Sequence, residues 1–164
     1  MPDNQYHYAF DAEYSGIPRE LTTVAEIFPF ASRDDNKSII ANILWDTGAT
    51  HSSLSNKIAK DLGLKSIDTI IVHGVNSSKL ADVVIASIRL SGSIFLTGKR
   101  FSVNEIPGAD VLIGMDIIML GDFAVSNSEG KTRFSFVIPP FKNKISFTEK
   151  ANAINDKLSR GKKS

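Results

Sequence analysis

An aspartate that directly follows an apolar strand and precedes Thr-Gly is a carboxylate held at a tight turn. Asp46-Thr47-Gly48 is such a unit, and Ile43-Leu44-Trp45 leads into it. Glycine lets the backbone turn sharply and approach a neighbour closely. The threonine hydroxyl can hydrogen-bond to a partner backbone. One such carboxylate is an ordinary acid. Two of them, a few ångströms apart, cannot both ionise, so they share one proton. The ionised member can then take a proton from water while the protonated member polarises a carbonyl. No second Asp-Ser-Gly or Asp-Thr-Gly occurs in the 164 residues. A pair therefore requires two copies of the chain about a two-fold axis, with Asp46 meeting its own counterpart.

Composition narrows the other chemistries. The chain has no cysteine, which excludes disulfides, zinc-thiolate sites and a thiol nucleophile. Lys plus Arg is 19 and Asp plus Glu is 18, a balance that gives no argument for nucleic acid or an anionic membrane as partner. Residues 1–10 lack the apolar run of a signal peptide, and no apolar stretch approaches a membrane span. The expectation is a soluble, cytoplasmic protein. The length fits one domain with a self-standing core.

The elements that must position Asp46 are mostly strands. Strands are expected over Leu21–Phe30, Ser38–Trp45, Ile67–His73, Ala81–Leu90, Ile94–Val103 and Val111–Ile113, with a turn at Ser32–Lys37. A closing hairpin is expected over Phe123–Ser126 and Thr132–Ile138, where Pro139-Pro140 limits further pairing. Ser55 to Leu62 reads as a short helix with Ser55 as its cap and Gly63 as its end. Asp116–Leu120 reads as a helical turn. Residues 1–17 are expected as a flexible arm, 18–146 as the functional domain, and 147–164 as a polar tail or frayed helix. One pattern occurs twice: an apolar strand, a glycine turn and a helix, at Ile43-Leu44-Trp45 and again at Val111-Leu112-Ile113-Gly114.

The segment ILWDTGATHSSLSNKIAKDLGL at 43–64 resembles the active-site segment of the retropepsins, above all the retrotransposon-type aspartic proteases. The family's second hallmark, two apolar residues and a glycine before a short helix, matches Val111-Leu112-Ile113-Gly114-Met115-Asp116. The hairpin 70–88 stands where the family carries its flap. The three features keep the family's order and spacing over roughly residues 20–140. The resemblance implies an all-β, closed barrel-like fold with one or two short helices, acting as a homodimer on extended peptide substrates. It implies Asp46 as the catalytic acid, Thr47 interlocking with its dimer mate, and Gly48 against the substrate backbone. Ala49 stands where many pepsin-like enzymes carry a hydroxyl. His73, Gly74, Val75, Asn76 and Ser77 would form the flap. Leu44, Val72, Val84, Ile113 and Gly114 would line the substrate pocket. No metal and no organic cofactor is implied.

Plainer readings stand beside these. Asp46 could merely cap a turn. His51 would satisfy a local backbone group, Asp116 would cap its helix, and Trp45 would pack in the core beside the site. His7, His51 and His73 are scattered, which is no metal-ligand pattern. A strand followed by Asp-x-Gly also opens the phosphate loop of actin-like ATPases, but those need two large lobes. Haloacid-dehalogenase-type phosphatases need a second aspartate where Gly48 stands. The substantive rival is a retropepsin-fold dimer that holds or scaffolds peptides without cutting them.

Overall fold

The computed structural model describes residues 5–30, 37–73, 78–143 and 145–161. The expected turn at 32–37 falls almost wholly outside them, as does the hairpin tip at 74–77. The order is β1 Tyr8–Tyr14, β2 Leu21–Pro29, β3 Ile39–Trp45, β4 Ser53–Ser55, α1 Asn56–Asp61, β5 Asp68–His73 and β6 Ser78–Ser91. Then follow β7 Ile94–Asn104, β8 Val111–Ile113, α2 Met115–Ile118, β9 Asp122–Ser128, β10 Lys131–Ile138 and α3 Phe147–Gly161.

Six strands close on themselves. The sheet runs β2-β3-β8-β4-β7-β6, and β6 pairs back onto β2 from Glu26↔Arg89 to Pro29↔Ala86. Closure leaves no free edge in the ring. Alternation along each strand supplies the inward side chains: Ile27, Ile43, Ile88, Phe101, Val111 and Ile113 are fully buried. Strand β5 lies outside the ring. It pairs with the first half of β6, from Asp68↔Val83 to His73↔Ser78.

The expected flexible arm is instead a strand. β1 pairs with β10 over seven residues, Tyr8↔Ile138 to Tyr14↔Thr132, and β9 completes a three-stranded sheet. The reason is a period of two that the polar residues obscure. Phe10, Ala12 and Tyr14 turn toward the core, while Asp11 and Glu13 point outward and Glu13 pairs with Arg133. The sheet is fastened to the barrel by aromatic rings. Trp45, nearly buried, sits 4.9 Å from Phe134 and 5.1 Å from Phe136 between ring centroids, and its Nε1–H donates to Thr23 Oγ1 at 2.9 Å. This is the packing role expected of Trp45.

α1 forms as expected: Ser55 Oγ accepts from Ile58 N–H at 3.3 Å, and Gly63, at φ +62°, ends it. α2 starts one residue earlier than expected. α3 occupies the stretch expected as a tail or frayed helix, and its side chains are exposed throughout.

Candidate active site

Asp46 is placed by the last rung of a parallel pair. β3 and β8 run side by side with Ile43↔Val111, Leu44↔Leu112 and Trp45↔Ile113, so the sequence pattern that occurs twice becomes two adjacent strand ends. Asp46 N–H continues the ladder to Ile113 O at 2.9 Å. The chain then turns. Ala49 N–H donates to Asp46 O at 3.2 Å, and Gly48 N–H donates to Asp46 Oδ1 at 2.8 Å. Asp46 is half-buried, whereas Thr47 and Gly48 are exposed.

The turn is tied to the second loop at several points. Met115 N–H donates to Ala49 O at 2.8 Å, and Asp116 N–H to Thr50 O at 3.2 Å. Ser52, fully buried, joins both loops: its Oγ donates to Asp116 Oδ1 at 2.7 Å and accepts from Gly114 N–H at 3.0 Å. Asp116 therefore braces Ser52 and does not cap α2, whose N-cap is Gly114 without a side-chain bond. The crossing is close enough to demand glycine. A Cβ on Gly114 would lie 2.8 Å from the His51 carbonyl carbon and 2.9 Å from Ala49 O.

Beside the turn lies a cleft of about 550 Å³. Gly48, Ala49, Thr50 and His51 form part of its floor, and Ile70, Ile71 and Val72 of β5 form part of a wall. Leu44 and Val72 line it. Val84 and Ile113 do not: both are buried in the barrel, at 2% and 0% exposure. Side-chain parity explains Ile113. Along β8 the inward residues are Val111 and Ile113, so Leu112 faces the cleft beside Leu44. Gly114 supports the loop and does not form a wall. His51 also lines the cleft, where the sequence suggested only local backbone satisfaction. His73 makes the last rung of β5 with Ser78; the other residues expected as a flap, Gly74, Val75, Asn76 and Ser77, lie outside the described residues. Sequence reasoning missed Leu112, which alternation alone could have found. It also missed Ser53, Ser102 and Asn104, which line the cleft from β4 and β7 and carry no local signal.

Among the described residues no three His, Asp or Glu side chains gather as a metal site, and no helix is long and apolar enough to cross a membrane.

The family model described as "gag-polyprotein putative aspartyl protease" matches residues 36–119, just over half the chain. Among solved structures, the chain is similar to a retropepsin-like aspartic protease from Rickettsia conorii. The TM-score is 0.52 at 15% identity, covering 81% of this chain and 96% of that one. The EIAV protease in complex with an inhibitor gives a TM-score of 0.48 at 21% identity, covering 64% of this chain and 89% of that one. No curated protein matches the sequence. At these identities the structural likeness is one of fold, and the fold is retropepsin-like.

Proposed function

The chain belongs to the gag-polyprotein aspartyl protease family, and from that premise we propose that it is an aspartic endopeptidase working as a homodimer, with one Asp46 from each subunit. The observation that carries this reading is the Asp46 turn. The Asp46 backbone N–H is held by Ile113 O and its carboxylate accepts from Gly48 N–H, with exposed Thr47 and Gly48 next to it and a peptide-sized cleft adjoining the turn. A single chain supplies half of a dyad, and the exposed Thr47 and Gly48 suit contact with a second copy.

In the dimer the two Asp46 carboxyls hold one proton between them. The ionised one takes a proton from water as the oxygen attacks the scissile carbonyl carbon. The protonated one gives its proton to the carbonyl oxygen. The tetrahedral diol then collapses: the C–N bond breaks, a proton passes to the leaving nitrogen, and the dyad returns to its singly protonated form. Substrate lies extended between the floor and the β5–β6 hairpin, pairing with them as an added strand. Apolar Leu44, Ile70, Val72 and Leu112 favour apolar side chains near the cut. The catalytic unit is the domain over 18–146 with β1 completing its terminal sheet, and the absence of cysteine fits work in a reducing compartment such as the cytoplasm.

The rate should follow a bell in pH, because only the singly protonated pair is competent. Asp46→Asn should abolish cleavage of a peptide library while sedimentation still reports the dimer. A strict monomer with full activity, or an Asn variant that cuts as fast as the parent, would sink the reading. A dimer that binds peptides and never cuts would favour the scaffold alternative.

A further inference from the structure

One group in the cleft is poorly explained by an apolar peptide site. Ser53 of β4 sits beside Ser102 of β7 in parallel register, and Asn104 follows on the same face of β7. All three line the cleft, and their exposures are only 8%, 4% and 8%. The hydroxyls are 2.7 Å apart. Asn104 Nδ2 donates to Ser102 Oγ at 2.9 Å and to Ser53 Oγ at 3.4 Å. Among the described residues, Asn104 Oδ1 is buried with no partner.

A cluster that served only to hold β4 against β7 would be expected to satisfy itself, because a buried polar atom without a bond is destabilising. This cluster cannot. The two serines and the carboxamide hold four donor hydrogens and three acceptor oxygens. Both Nδ2 hydrogens and one serine hydrogen are spent inside it, which leaves one hydroxyl hydrogen and the whole of Oδ1 unused. With the amide as the structure places it, the group lacks a partner that both donates and accepts; turned over, both hydroxyl hydrogens find acceptors inside the cluster and only the two amide N–H lack one. A carboxylate offers only acceptors, an ammonium only donors, and an apolar side chain neither. A planar carboxamide offers both.

We propose that Ser53, Ser102 and Asn104 form a side-chain subsite of the cleft that selects an Asn or Gln residue of the bound peptide. The proposal rests on the endopeptidase reading and names part of its substrate class. The surrounding apolar lining, Ile70, Ile106 and Leu112, strengthens the selection, since a hydrogen bond shielded from water discriminates more sharply than an exposed one.

The test separates this subsite from the chemistry at Asp46. Octapeptides with a central Leu-Phe pair carry Gln, Asn, Glu or Leu at one flanking position at a time. Their affinity for the Asp46→Asn dimer is measured by fluorescence anisotropy, and their cleavage by the parent enzyme is measured in parallel. At one position the carboxamide peptide should bind about tenfold tighter than its Leu counterpart, and tighter than the Glu peptide. Asn104→Leu should erase or invert that preference. The double variant Ser53→Ala, Ser102→Ala should do the same, and it keeps the test open if Asn104→Leu fails to fold. Binding without a carboxamide preference at any position overturns the subsite and leaves the protease reading intact. A preference that survives the double variant also overturns it. Cleavage of none of the peptides alongside a clear carboxamide preference in binding sinks the endopeptidase reading and keeps the subsite. Binding of none of them overturns both.

Discussion

The Asp46 turn and the β5–β6 hairpin both contribute to one cleft, yet they are held in opposite ways. The turn grows out of the closed ring and is bonded to the Gly114 loop through Ile113 O, Ala49 O, Thr50 O and Ser52 Oγ. The hairpin's outer strand, β5, lies outside that ring and, among the described residues, pairs only with β6. Two large apolar side chains of the hairpin, Ile71 on β5 and Leu80 on β6, are 60% and 73% exposed. On the proposed reading, a site that holds a carboxylate in place and also admits a peptide needs both kinds of construction. Reacting groups belong on over-determined backbone, and segments that open are drawn from the least buried parts of a fold. Changes in the floor should therefore lower stability and activity together, while changes in the hairpin should lower activity with little effect on melting.

The sharpest blow to the floor is Gly114→Ala. The added methyl would meet the backbone of both Ala49 and His51, which cannot swing aside as a side chain can. Overpacking of this kind is expected to destabilise by about 3 kcal/mol, and cleavage should fall with it. Gly48→Ala is the control. Its Cβ would meet only the Asp46 carboxylate oxygen, at 3.1 Å, so the melting temperature should hold while the displaced carboxylate lowers kcat. If both variants melt alike, the crossing of the two loops is not what holds the floor.

Ser52→Ala follows, with about 2 kcal/mol expected from denaturant melts. It strips a fully buried hydroxyl that satisfies both Gly114 N–H and Asp116 Oδ1; Asp116 is exposed and can turn to water, but the buried Gly114 N–H is left without an acceptor and carries a desolvation penalty. A loss below about 0.5 kcal/mol would mean that water takes over both bonds.

This contrast between floor and hairpin was partly legible in the sequence. The strand–Asp-Thr-Gly pattern, its echo at Val111–Gly114 and the Ser55 cap depend on local residue types, and each appears where expected. What could not be read depends on partners far along the chain. β1 exists because Phe10 meets Trp45, Phe134 and Phe136 and Ala12 and Tyr14 pack against the same core, and nothing local to residues 8–14 announces those rings. Ile113 lies one residue of parity away from the cleft-facing Leu112, and naming the hallmark's apolar residues did not say which of them face inward. Ser52 and Asp116 are ordinary polar residues until the fold sets their side chains 2.7 Å apart.

On the hairpin side, Ile71→Ser tests whether the wall serves the substrate more than the fold. Ile71 lines the cleft and is mostly exposed, so its loss should change stability by no more than about 0.5 kcal/mol. kcat/KM for apolar peptides should fall several-fold, chiefly through KM, because the contact is made to ground state and transition state alike. A drop in melting temperature comparable to that of Ser52→Ala would show the hairpin to be as structural as the floor.

The smallest effect concerns the clip at the root of the hairpin, where Asp68 Oδ2 accepts from Arg100 Nη2 at 2.8 Å and joins β5 to β7 across β6. The hydrogen bond from Arg100, and next the one from Thr69 N–H, hold the Asp68 carboxyl below the usual carboxylate range. A carboxyl whose folded pKa is depressed stabilises the fold at every pH above its unfolded value of about 3.9, and the contribution disappears as pH falls through the lower folded value. Both partners are more than half exposed, so water and salt screen the pair and the effect is slight. The melting temperatures of the parent and Asp68→Asn should differ by a small, constant amount from neutral pH down to about pH 4. The gap should close below that, and it should narrow in high salt. A gap that persists at pH 2 would assign the effect to the side chain's shape and not to its charge. A gap as large as that of Ser52→Ala would mean that the hairpin root is pinned as firmly as the floor, and the contrast between the two sides of the cleft would fail at its weakest point.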